Sequence, residues 1–157
     1  MRKRIISPVE KKTTPVNQDW LNLDELVEVE VTSEDANYPI ESALLAGRNS
    51  GWRAAEQGEQ LIRLVFVNPQ SLQRIWLHFS ETQIERTQEY VLRCSSDGGK
   101  SFQEIARQQW NFSPEGANSE IEEHHADLQE VSILELSIIP DISGGSAVAT
   151  LEQLRLA

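Results

Sequence analysis

Apolar residues along this chain recur mostly at every second position. Leu26, Val27, Val29 and Val31 open the series; Leu61, Ile62, Leu64, Val65 and Phe66 follow, then Ile75, Leu77 and Phe79. Period two is the signature of strands, whose successive side chains point to opposite faces of a sheet. Segments of the same kind lie at 90–94, 102–106, 121–128, 131–139 and 148–156. About eight strands with turn signals between them predict an all-β sandwich of antiparallel strands. No long segment carries the spacing of an amphipathic helix, and Pro39 to Leu45 suits only a short helical turn. Residues 81–92 show scattered helical spacing, but Tyr90, Val91 and the turn after them favour a strand in the second half.

The turns support the strands. Ser95-Ser96-Asp97-Gly98-Gly99-Lys100 separates two alternating segments, and its glycines supply the positive φ angles that a tight hairpin needs. Pro140-Asp141-Ile142-Ser143-Gly144-Gly145 ends the most apolar segment and makes a wide turn before the last one. No fixed-period repeat is visible, which argues against a propeller or solenoid.

Composition narrows the picture. The chain has 157 residues, 39% of them hydrophobic, enough for one core and little more. Residues 1–18 contain Pro8 and Pro15 and no apolar periodicity, so they read as a basic, flexible leader ahead of one domain at 19–157. In that leader Arg2, Lys3, Arg4, Lys11 and Lys12 stand against Glu10 alone, so the remainder is more acidic than the net charge of −11 for the whole chain. Such a body repels phosphate backbones and anionic lipids, so neither nucleic acid nor membrane is expected as a partner of the folded part. No apolar run has the length of a membrane span, and the first 15 residues lack a signal peptide's apolar stretch. Cys94 is the only cysteine, which excludes an internal disulfide and agrees with a cytoplasmic, reducing setting.

In this strand order several segments resemble the discoidin, or coagulation-factor C-type, family. Val29-Glu30-Val31-Thr32-Ser33 is similar to its opening strand, Gly51-Trp52 to the tryptophan after its first long loop, and Gly58 to Leu64 to its second strand. Tyr90 to Phe102 resembles its hairpin of strand, Ser-x-Asp-Gly turn and following aromatic, and Ala149 to Leu156 its closing strand. The resemblance implies a galactose-binding-like jelly roll of about eight strands, a scaffold used for glycans, lipids and protein partners alike. It also implies, for many members, a structural calcium held by an aspartate before a glycine in the first long loop and a glutamate in the final strand. Ala46 and Gln153 stand at the best-matching positions, which removes both carboxylates, although Glu152 or Glu41 lies close by. No cofactor is therefore expected.

Candidate chemistry is sparse. His124 would share a strand face with Glu122 and Glu120, the material of a weak metal site, but without a known ligand spacing; a charge-rich exposed strand is the ordinary expectation. There is no Gly-x-Ser-x-Gly elbow and no helix-opening phosphate loop. Cys94 reads as a small buried apolar residue rather than a nucleophile. No catalytic residue is assigned.

Binding has better material. Arg48, Asn49, Trp52 and Arg53 fall in a loop flanked by Gly47 and Gly51, and Trp110 and Asn111 precede a second turn. Aromatic faces stack on sugar rings or partner side chains while Arg and Asn supply directional hydrogen bonds. Trp20 and Trp76 are assigned to packing. The expectation is a non-catalytic module whose end loops recognise a carbohydrate or other polar ligand, with an intracellular protein-binding adaptor as the alternative and a metal-dependent enzyme behind both.

Overall fold

The alternating segments form eight strands, divided otherwise than the sequence suggests. They are β1 (Val27–Val31), β2 (Trp52–Gln57), β3 (Gln60–Ser80), β4 (Arg86–Ser95), β5 (Gln103–Phe112), β6 (Ser119–Ile139), β7 (Val148–Leu151) and β8 (Gln153–Leu156). Single helical turns, α1 (Leu23–Leu26) and α2 (Glu41–Leu44), precede β1 and β2. A computed structural model describes residues 20–48 and 50–157; the leader read at 1–18 lies outside the described residues.

Segments 61–66 and 75–79 are one strand, β3, of 21 residues, and 121–128 and 131–139 are likewise one, β6, of 21. Both bend at their middles. The β3–β6 pairing shifts register between Val65 and Gln70 and twice more before Arg74. At that point Val67, Asn68 and Pro69 are exposed and Glu130, on the facing strand, has φ 54°. A bulge with an exposed proline breaks the hydrogen-bond ladder and lets the sheet fold over itself. The first half of β3 lies between β1 and β6, with β4 and β5 beyond, all antiparallel. Its second half lies between β8 and the start of β6. The result is a five-stranded layer over a three-stranded one, with β2 and β7 as a separate antiparallel pair.

The inward rows pack between the layers. Ile62, Leu64, Leu92, Leu134 and Leu136 from the larger layer share one core with Leu72, Ile75, Leu77, Leu154 and Leu156 from the smaller. Phe79 stacks on Tyr90 across the gap, ring centroids 5.2 Å apart. The Ser95–Phe102 hairpin forms as expected: Asp97 accepts from the Ser101 amide at 2.9 Å and from its hydroxyl at 2.6 Å, and Gly98 and Gly99 both have positive φ. These hydrogen bonds hold the Asp97 carboxyl well below the usual carboxylate range. The termini of the described domain meet beside β8, where the Leu21 amide donates to the Leu156 carbonyl at 2.7 Å.

Candidate functional site

Alternation along β8 and β3 determines what the outer face of the three-stranded layer displays. Leu154 and Leu156 are buried, so Gln153 and Arg155 turn outward; Ile75, Leu77 and Phe79 are buried, so Arg74, Trp76 and His78 turn outward. Register then makes a row. Trp76 lies between Arg155 and Glu123, and His78 between Gln153 and Ile121. Over the β8 edge of this face, the chain at 20–24 and the loop at 44–48 enclose a cavity of about 630 Å³. Its lining includes Trp20, Asn22, Asp24, Arg48, Gln153 and Arg155. That volume falls within the usual range of small-ligand sites.

Polar groups frame flat rings here. The Arg74 guanidinium lies over the Trp20 ring, 4.4 Å from its centroid, and pairs with Glu123 at 3.1 Å. His125 also reaches Glu123, at 2.7 Å. The Arg74 hydrogen bond holds the Glu123 carboxyl below its ordinary range. Trp76 and His78 have ring centroids 6.1 Å apart, and the His78 Nε2 sits 3.1 Å from the Ser119 hydroxyl. Burial lowers the His78 pKa, so its imidazole is neutral at pH 7. Ile121 on the same face is 58% exposed. By contrast, the outer face of the five-stranded layer carries ion pairs, Arg63 to Glu30 at 3.0 Å and to Glu135 at 2.7 Å. Rings beside fixed donors and acceptors suit recognition of a polar ligand.

No protein-family model and no curated relative matches the sequence. Solved structures do match the fold. The family 32 carbohydrate-binding module of C. perfringens NanJ, in complex with galactose, superposes with a TM-score of 0.65 at 16% identity, over 87% of this chain and 96% of that one. A second C. perfringens family 32 module, in complex with GalNAc-β-1,3-galactose, gives 0.61 at 17%, over 88% and 99%. A pectin-binding carbohydrate-binding module gives 0.59 at 20%, over 84% and 90%. The fold is the discoidin-like, galactose-binding-like jelly roll.

Of the six residues picked from the sequence, the five described fall in separate surroundings. Arg48 lines the cavity. Asn49 lies outside the described residues. Trp52 is 1% exposed, its indole N–H donating to the Ser33 carbonyl at 3.1 Å, so its ring faces the core and not a ligand. The cause is strand phase, since Trp52 shares the inward face of β2 with the buried Ala54; Gly51 before it, at φ 73°, lets the chain pass Leu151, where a Cβ would stand 3.0 Å from the carbonyl oxygen. Arg53, on β2, places its guanidinium 5.3 Å from the Tyr38 ring centroid, outside the cavity lining. Trp110 faces inward on β5, half-buried against the core, and its indole N–H is buried without a partner among the described residues. Asn111, on the opposite face of β5, accepts from the Thr87 hydroxyl at 2.7 Å. Of the tryptophans expected only to pack, Trp20 lines the cavity, and Trp76 lies on the adjoining outer face beside Arg155. Phase held the signal for Trp76: it alternates with Ile75, Leu77 and Phe79 and so had to point away from the core.

Glu120, Glu122 and His124 do share one face of β6, but that face turns inward rather than to solvent. Their register partners on β3 are the buried Phe79, Leu77 and Ile75. His124 lies 2.7 Å from the Tyr90 hydroxyl, and Gln88 donates to Glu120 at 3.4 Å. Glu120 is 1% exposed, and burial, then the charge of Glu122, pushes its pKa up to about 7. Among the described residues no group of three or more His, Cys, Asp or Glu is arranged to hold a metal. Cys94 is buried, which pushes its thiol pKa up and away from thiolate chemistry.

Neither of the two positions matched to calcium ligands by the resemblance carries a carboxylate. Ala46 is exposed and Gln153 is neutral. The Arg155 guanidinium donates to the carbonyls of Ala43 at 2.9 Å and Leu45 at 3.4 Å. A hard cation needs several oxygen ligands with negative charge among them, and here neighbouring carbonyls already accept from a cation.

Proposed function

We propose that this chain is a non-catalytic carbohydrate-binding module that seats a neutral sugar against the outer face of its three-stranded layer. The cavity roofed by the 44–48 loop carries this reading: Arg48, Asn22 and Gln153 bring hydrogen-bonding groups to one concavity whose wall includes the Trp20 ring. Structural neighbours with this fold include modules in complex with galactose and with GalNAc-β-1,3-galactose. Asp24 in the lining stands against Arg48 and Arg155, so the choice of a neutral sugar follows the galactose-bearing neighbours and not the charge of the cavity.

A glycan array carrying neutral galactosides beside uronate oligomers tests the reading. Binding to the neutral set is expected, and Arg48→Ala should weaken it by about 10- to 100-fold, the loss of one charged hydrogen-bonding group. Capture of protein partners with no glycan signal would favour the adaptor reading.

A further inference from the structure

We propose that Arg155 acts as a built-in cation, fastening the last strand to the loop that carries Arg48, so that the cavity keeps its shape without a divalent ion. Its guanidinium donates to three backbone carbonyls: Leu154 at 2.8 Å, Ala43 at 2.9 Å and Leu45 at 3.4 Å. Ala43 lies in the last turn of α2 and Leu45 is its C-cap, in the cavity loop, so one side chain joins β8 to both. No ion pair involves Arg155 among the described residues, and burial lowers its pKa from the ordinary guanidinium range while leaving it charged at neutral pH. A guanidinium so placed is matched by carbonyl dipoles alone, the kind of oxygen set that a loop otherwise offers to a metal ion.

Alternation explains why the residue is available. Leu154 and Leu156 are spent on the core, so residue 155 must point outward beneath the 44–48 loop. The planar fork reaches carbonyls on two elements at once, which a lysine ammonium, a point charge on a flexible stem, does less well. The inference concerns the loop's fastening, and it refers to the ligand reading only in calling the cavity a site. Its test therefore reads stability and not sugar binding.

The experiment is thermal unfolding of the full chain, wild type and variants, in excess calcium chloride and in EDTA. Wild type should melt at the same temperature in both. Arg155→Met should melt about 6 °C lower, the shift expected for a domain of this size on losing its carbonyl-bound cation. Arg155→Lys should fall between the two. Amides of residues 43–48 should exchange faster in Arg155→Lys than in wild type, a readout that survives if Arg155→Met does not fold. A rise of several degrees in wild type on adding calcium would overturn the proposal, as would an unchanged melt for Arg155→Met.

Discussion

Replacing Trp52 by alanine is expected to lower the unfolding free energy by about 3–5 kcal/mol, the usual cost of emptying a buried aromatic site. The ring is 1% exposed and packs in the shared core, and its N–H is satisfied by the Ser33 carbonyl. Relaxation around the gap is limited, because Gly51 packs so close to Leu151 that a Cβ there would stand 3.0 Å from its carbonyl oxygen. Trp52→Phe keeps most of the volume and should cost less, about 1–2 kcal/mol for the unsatisfied carbonyl and the smaller gap. Urea denaturation of both variants checks the ranking. A Trp52→Ala protein of normal stability that had lost ligand binding would contradict the core assignment and restore Trp52 to the site.

The second large effect depends on pH. Glu120 has a native pKa near 7 against an ordinary value of 4.5, so between those values the folded protein keeps a proton that the unfolded chain releases. The stability that this carboxyl contributes is fully present below about pH 4.5 and lost as pH rises through 7. The loss amounts to about 3 kcal/mol. Glu120→Gln keeps shape and hydrogen-bonding capacity without the charge. It should match wild type near pH 4.5 and exceed it by up to about 3 kcal/mol at pH 8.5. His78 and His124, both with lowered pKa values, shift stability the other way through pH 6.5, and comparing variant with wild type at each pH cancels them. Parallel pH profiles for the two proteins would show that the inward carboxyl carries no such cost.

Much of the fold was legible because alternation is a local property. The hairpin at 95–102, the helical turn near Pro39 to Leu45 and the all-β class all follow from spacing and turn residues. The long strands were not legible as single elements, since alternation stops at Val67-Asn68-Pro69 and again at Gln129-Glu130, where the sheet bends between layers. Strand β2 was missed because Arg53, Ala55, Glu56 and Gln57 show little apolar alternation, and its pairing with β7 is a contact at long sequence separation. The candidate site was harder still. Residue type selected Trp52 and Trp110, whereas burial depends on which strand phase faces the opposing layer, and that phase directs both inward and Trp76 outward. Arg48, which lines the cavity, was legible as a loop residue because a glycine-flanked loop is recognisable in sequence. Trp20 was not, since it reaches the cavity only through the docking of the 20–24 segment beside β8.

The chain has four tryptophans, and each indole N–H gives its own resonance, so a titration with galactose followed by heteronuclear NMR tests the central claim most directly. A sugar held against the three-stranded layer should move the indole signals of Trp20 and Trp76 saturably, with the backbone amides of Arg48 and Gln153, and leave those of Trp52 and Trp110 in place. Saturable shifts confined to other loops, or no saturable shift with galactose or any other neutral sugar that the array presents, would contradict it.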